Sequence, residues 1–484
     1  MSSALAESFN RVCSLRADAV AVSNLTGGGF LTFAELGEEY AALRRAFAEL
    51  GVPRGSCVVS LVGNHPVFFP LIVACMDAGV TLLPLGEATD AEAMRAVRHA
   101  GAVAIVTDRA LRITAEHKRT LRDDVRLLRL PDPVDAPQHG CSVVLKLTSG
   151  STDLPKAVVA SESHLINDGR HIIEAMGIGA DDVNLGYIPL SHSYALGNLV
   201  MPLLLQGTAI ALRRSFQPSQ LSRDLRDGGA TILAGVPFMF DHMKAAGWSD
   251  PLPHRLRLLI TAGARIDPDT VVWFHTRLGR KLHSFYGSSE TGGITYDDSN
   301  DLTDPLHVGR PLPETEVTIR AASGERGEGR VFVRGTAVAT RYAGTSDVNA
   351  VAKFCEDGFL TGDLGSFDAR GWLVLSGRVS SLVNVAGRKV DPWEVERTLR
   401  EVPGVADARV LGMSCDVRGQ QVVAFVVRTD AALTPIALRQ RCAARLSPYK
   451  IPRQFVFLDR FPVDARGKID RRELQALVSD MSEL

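Results

Sequence analysis

Apolar runs of strand length alternate with amphipathic segments through the first half of the chain. Cys57–Val62 (CVVSLV), Ala102–Thr107 (AVAIVT) and Val143–Leu147 (VVLKL) are short and rich in β-branched residues, so each predicts a buried strand. Thr32–Leu50 and Asp90–His99 carry helical spacing instead, and Thr32 stands where an N-cap is needed. Strands separated by helices in this way predict an α/β fold with mostly parallel sheets.

The texture changes after Asp304. Glu316–Arg320, Arg330–Arg334 and Trp372–Leu375 predict short strands joined by turns such as GERGEG, as in a small β-barrel or sandwich. It changes again after Gly377. A helix at Pro392–Val402, strands at Ala408–Met413 and Gln421–Arg428, a helix at Thr434–Leu446 and a strand at Gln454–Leu458 predict an α+β unit of about 100 residues. The boundary falls near residues 376–382.

Composition narrows the classes. With 54 basic and 55 acidic residues, the net charge of −1 gives no bulk field for coating nucleic acid or an anionic membrane. Apolar residues at 45% and charged residues at 23% are globular proportions, which argues against wholesale disorder. Seven scattered cysteines without a CxxC pair suit a reducing, cytoplasmic setting rather than a disulfide framework or a zinc site. The most apolar stretch, Leu199–Leu212, is too short to span a bilayer, and the N-terminus has no secretory pattern.

The sharpest chemical signal is TSGSTDLPKA, Thr148–Ala157, directly after the Val143–Leu147 run. Small hydroxyl and glycine residues leave the backbone free to curl, so its N–H groups and hydroxyls can surround an anion, and Lys156 adds a mobile cation. A flexible polar turn is the equal alternative at this point. The spacing is not that of a Walker A loop, which excludes a P-loop ATPase. YGSSETGG, Tyr286–Gly293, places a ring able to stack on a base beside Glu290, an oxygen donor for a hard cation. TGDLG, Thr361–Gly365, puts Asp363 on a predicted tight turn, where it could accept from ribose hydroxyls. Each of these acids also reads as an ordinary turn residue. The glycine order of GERGEG, followed by a strand, excludes a dinucleotide fingerprint.

Taken in order, these segments resemble the adenylate-forming superfamily of acyl-CoA synthetases, carrier-protein-loading adenylation domains and luciferases. Further matches are Phe30–Val52, Cys75–Leu85, PLSHSYALG (Pro189–Gly197), TAGA (Thr261–Ala264), GRVFVRG (Gly329–Gly335), Gly377–Glu396, LSPYKIP (Leu446–Pro452) and GKIDR (Gly467–Arg471). The resemblance implies a large N-terminal domain (1–377) of two layered α/β subdomains plus a small β-barrel. A hinge (378–382) and a small mobile α+β domain (383–484) follow. It also implies a reaction: a carboxylate attacks the α-phosphate of ATP, giving acyl-AMP and pyrophosphate, and a thiol then displaces AMP. Coenzyme A is the leading acceptor, with the phosphopantetheine of a separate carrier protein as the alternative.

By the same resemblance, Thr148, Ser149, Gly150, Ser151, Thr152 and Lys156 cradle the pyrophosphate end, and Glu290 holds Mg²⁺. The adenine lies against Tyr286 and the Gly263–Ala264 backbone, Gly287 and Ser288 belong to the same nucleotide site, and Ser289 meets the α-phosphate. Asp363 takes the ribose, with Arg378 nearby; Gly387 lines the pantetheine channel. Lys468 is the implied catalytic lysine of adenylation, and His192 lines the carboxylate pocket. Three departures from the family pattern are Asp153, Ala157 and Ser380; Asp153 and Ser380 motivate a rival reading as a non-catalytic nucleotide-binding relative.

The segment Tyr187–Val200 contains no acid. A buried ammonium would find no partner there, which disfavours amino acid substrates. Tyr194, Val236, Phe238, Gly263 and Ile294 are the expected acyl wall, fitting an aryl or medium-to-long aliphatic acid. Val236, Phe238 and Phe240 alternate as in a strand, so ordinary core is the competing explanation. The expected state is a monomer or homodimer.

Overall fold

Two parallel-cored sheets share one apolar interior. The computed structural model describes the chain except for residues 1–2, 87, 122–124, 134–136, 138, 148–155, 301, 303–306, 322–327, 345–351, 356, 380–381, 386–387, 416–418, 464–468 and 480–484. The first sheet runs, in spatial order, through His117–Thr120, Arg126–Arg129, Ala102–Thr107, Cys57–Ser60, Thr81–Pro84, Val143–Leu147 and Ala157–Ser161. The second runs through Arg310–Pro311, Gly292–Tyr296, Leu282–Ser288, Leu258–Thr261, Ile232–Gly235, Val183–Gly186, Ala209–Leu212, Val20–Asn24 and Phe30–Thr32. Both are parallel at the centre and antiparallel at the edges, as βαβ crossovers require.

One core cluster takes Val58 and Leu82 from the first sheet, Val22, Ile210 and Leu212 from the second, and helix residues such as Phe9, Phe47, Phe68 and Leu203. The Phe68–Ala78 helix is apolar on nearly all sides because it lies inside this interior. The Phe33–Glu49 helix begins where the sequence predicts. Thr32 caps it, and a reciprocal bond from Glu35 completes the capping box.

The β-rich stretch expected as a small barrel is a five-stranded sheet of Thr315–Ala321, Gly329–Gly335, Gly358–Phe367 and Lys353–Cys355, with Leu373–Arg378 paired to the Gly358–Phe367 strand. The last sheet comprises Arg388–Val390, Val383–Val385, Gly419–Arg428 and Val405–Cys415, with Gln454–Leu458 parallel to Gly419–Arg428. Its inner face packs on the Pro392–Arg400 and Pro435–Ala443 helices around Val395, Leu399 and Leu438.

By contact density the chain forms two units. One holds Met1–Arg320, Phe332–Thr361 and Phe367–Val374; the other holds Ala321–Val331, Gly362–Ser366 and Leu375–Leu484. Among the described residues, no helix is long and apolar enough to cross a membrane.

Candidate active site

The Val143–Leu147 strand and Ala157–Ser161 pair antiparallel, Leu147 opposite Ala157, so the phosphate-loop segment connects two adjacent strands. Thr148, Ser149, Gly150, Ser151, Thr152 and Asp153 lie outside the described residues, as do Ser380, Gly387 and Lys468. Lys156, at the end of the loop, is half-buried with its Nζ 5.6 Å from the centre of the Tyr342 ring.

Tyr342 connects this lysine to the acid expected to hold a metal. Its hydroxyl donates to Glu290 Oε1 at 2.8 Å, and the Ala339 N–H donates to the Glu290 carbonyl at 2.8 Å. Burial, then the neighbouring carboxylate, pushes the Tyr342 phenol well above its ordinary range, so it stays a donor. Tyr342 was not legible in the sequence. It reaches the site because it bridges to Val158 across the chain, and no local motif marks it.

Glu290 sits in the turn joining Leu282–Ser288 to Gly292–Tyr296. Ser288 shapes that turn: its Oγ accepts from the Glu290 N–H at 3.2 Å and the Thr291 N–H at 3.3 Å. Gly287 lies opposite Gly293 across the hairpin, where a bulge follows Tyr286. Tyr286 is largely buried on the same strand. Thr261 pairs with Ser284, which brings the exposed Gly263–Ala264 turn to the level of Tyr286. Gly263 takes φ +86°, a conformation a side chain would strain.

The histidine loop meets this hairpin directly, because Ser193 Oγ donates to Ser289 Oγ at 2.8 Å. His192 is the N-cap residue of the Ser193–Ala195 turn, which runs into a π-helical turn at Leu196–Val200. Asn64 anchors the loop from the other sheet. Its Oδ1 accepts from the Leu190 N–H at 2.9 Å, while its Nδ2 donates to the Arg213 carbonyl at 3.0 Å. Just before the loop, the buried Asp224 accepts from the Tyr187 hydroxyl and pairs with the Arg213 guanidinium.

Of the expected acyl wall, Tyr194 stacks on Phe285 at 5.8 Å and donates to the Ile260 carbonyl at 3.4 Å. Ile294 is fully buried, and Val236 lies beside Gly263. The strand-like alternation at Val236, Phe238 and Phe240 is corrected by the structure. Pro237 opens a helix, Pro237–Ala245, immediately after the Ile232–Gly235 strand. Phe240 therefore turns into the core against Phe274, while Phe238 is 58% exposed.

Asp363 needs a second correction. It lies not on a tight turn but within the ten-residue Gly358–Phe367 strand, whose alternate positions Phe359, Thr361, Asp363 and Gly365 are buried. Its carboxylate pairs with Arg378.

Among the described residues, no cluster of three or more His, Cys, Asp or Glu side chains could enclose a metal. One carboxylate is nevertheless the donor set a magnesium ion takes when phosphates and water complete its shell, so Glu290 fits that ion.

The family model of the AMP-binding enzymes matches residues 9–343, and that of the AMP-binding enzyme C-terminal domain matches residues 394–468. A feruloyl-CoA synthase from an Amycolatopsis species is 30% identical over 93% of this chain and 94% of its own length. An indoleacetate–CoA ligase of Aromatoleum aromaticum is 28% identical over 93% of each. The ATP-bound crystal structure of MatB from Rhodopseudomonas palustris superposes with a TM-score of 0.83 at 21% identity, covering 99% of this chain and 100% of that one. The chain belongs to the AMP-binding enzyme family.

Proposed function

We propose that this chain activates a non-amino carboxylic acid with ATP and passes the acyl group to coenzyme A. It is an acid–thiol ligase. The observation that carries the reading is the meeting of Lys156, Tyr342 and Glu290 on one side of the 282–296 hairpin with the His192 loop on the other, joined through Ser193 and Ser289. Attack of a carboxylate on ATP brings two anions together, and the site must supply fixed positive charge and oriented donors where charge accumulates. Lys156 and the Ser289 hydroxyl are described parts of that supply, and the 148–152 segment, outside the described residues, is its expected remainder. A magnesium ion held at Glu290 would neutralise the phosphate oxygens. His192 would orient the acid's carboxylate, and Asp363 the ribose. The 378–382 hinge and the mobile 383–484 domain bringing Lys468 to the phosphorus belong to the same proposal.

An uncharged acyl site is supported by the absence of acids in Tyr187–Val200. Tyr194, Val236 and Ile294 favour an aryl or longer aliphatic acid, and the names of two relatives, feruloyl and indoleacetate, favour the aryl class. The described cysteines are free, which favours a cytoplasmic setting.

The test is ATP–pyrophosphate exchange across aryl, aliphatic and amino acids, followed by coenzyme A or purified carrier proteins as acceptors. Aryl acids are expected to support exchange and amino acids not. Thioester formed only on a carrier protein would reassign the acceptor; ATP binding without exchange for any acid would favour a non-catalytic relative.

Tyr342→Phe tests the Glu290 placement. A hydrogen-bonded partner that orients a metal-holding carboxylate typically contributes about 10–100-fold to metal affinity, so its loss should raise the Mg²⁺ concentration for half-maximal exchange by about tenfold or more. An unchanged Mg²⁺ requirement would separate Glu290 from the metal.

A further inference from the structure

Asp168, on the Glu162–Met176 helix, is only 3% exposed and plays no part in the ligase reading above. Its Oδ1 accepts the Gly293 N–H at 2.8 Å, next to the Glu290 turn. Absent side chains make room for the carboxylate. A Cβ on Gly292 would collide with Oδ1, and one on Gly197 would lie 2.9 Å from Oδ2. Gly292 and Gly293 open the returning strand of the hairpin, and Gly197 belongs to the π-helical turn after Tyr194. One carboxylate thus touches both halves of the site. Lys146, equally buried on the Val143–Leu147 strand, is pushed below the usual lysine range by burial, with the nearby Asp168 and then Glu290 opposing. Burial pushes the Asp168 carboxyl up, and Lys146, then the Gly293 N–H, pull it back.

We propose that Asp168 is a positioning residue of the nucleotide site. Its carboxylate latches the hairpin carrying Tyr286–Glu290 to the helical turn that follows His192. The latch rests on the ligase reading of that hairpin. The competing explanation is a set of neighbouring buried charges that serves folding alone, and the two explanations differ in what a charge-free core would do. Removing one partner of a buried pair strands the other, whereas replacing both with neutral groups is often nearly neutral. Fold stability should therefore return when both charges go, but positioning should return only if an acceptor for the Gly293 N–H remains.

Two double variants separate them. Lys146→Met with Asp168→Asn keeps a carbonyl oxygen at the acceptor position; Lys146→Met with Asp168→Leu removes it. Equilibrium binding of ATP, the chemical unfolding midpoint and the kcat/KM of pyrophosphate exchange are measured on each. The Asn double variant is expected to bind ATP as the parent protein does. The Leu double variant should bind about tenfold more weakly, the loss of one hydrogen bond to the hairpin, and lose kcat/KM at least as much. Equal ATP binding and equal kinetics in the two doubles would overturn the latch and leave buried charges that serve folding alone.

Should the Leu double variant not fold, Lys146→Met with Asp168→Ala, which also lacks the acceptor, takes its place: weaker ATP binding than in the Asn double variant is expected, and equal binding would overturn the latch. Parent protein that binds no ATP would overturn the ligase reading, and the latch with it. Parent protein that binds ATP and exchanges pyrophosphate while both doubles match it sinks the latch alone.

Discussion

Lys468→Ala is expected to lower acid-dependent pyrophosphate exchange by 10²–10³, while thioester formation from supplied acyl-AMP continues at nearly the parental rate. The size follows from the role proposed for Lys468. An oriented donor to an oxygen that gains charge only in the transition state is worth ~2.7–4 kcal/mol of barrier. The asymmetry follows from the proposed hinge, because a lysine delivered to the phosphorus for the first half-reaction has no task once the thiol attacks. Both half-reactions should be assayed on one preparation, with ATP binding measured beside them. Equal losses in the two would contradict domain alternation, and an unchanged exchange rate would remove Lys468 from the chemistry.

The largest stability effect is expected at Asp224. This carboxylate is buried among the Tyr187 hydroxyl and the Arg213 guanidinium. Asp224→Ala leaves the guanidinium without its partner in the interior, which should cost about 3–5 kcal/mol in chemical unfolding. Arg213→Met combined with Asp224→Leu should recover most of that loss, since no charge is then stranded. Because Tyr187 leads into the His192 loop, the single variant should also raise the KM for the acid more than that for ATP. A fall in activity that tracks the folded fraction alone would confine Asp224 to folding.

How much of this was legible beforehand depended on the kind of signal. Val143–Leu147, Ala102–Thr107 and Gln454–Leu458 form strands over the expected residues, because a short β-branched run flanked by turn residues has few alternatives. The helix at Asp90–Ala100 follows its capping box at Thr89 and Glu92. Phe238 misled because an apolar i, i+2 pattern across a proline fits a strand as well as a first helical turn, and Pro237 decides for the helix. Asp363 misled in the opposite direction, since glycine on either side suggested a turn while the sheet absorbed the segment as a strand. Lys156, Glu290, Ser289 and His192 could be named because each lies in a contiguous motif. Tyr342, Asn64 and Asp168 could not. They reach the site from segments distant in sequence, and what recommends each of them is a partner, which a linear pattern does not display.

The Asp363–Arg378 pair bears on what happens between turnovers. A carboxylate offers about four lone-pair positions, and a guanidinium neighbour need occupy only some of them. In the role proposed for Asp363, a sugar's vicinal hydroxyls would be accepted on arrival without the acid ever having stood alone, and released without abandoning it. Vacating the proposed cradle would then carry little electrostatic penalty, which is what a catalyst needs if it must discard AMP at the end of every cycle.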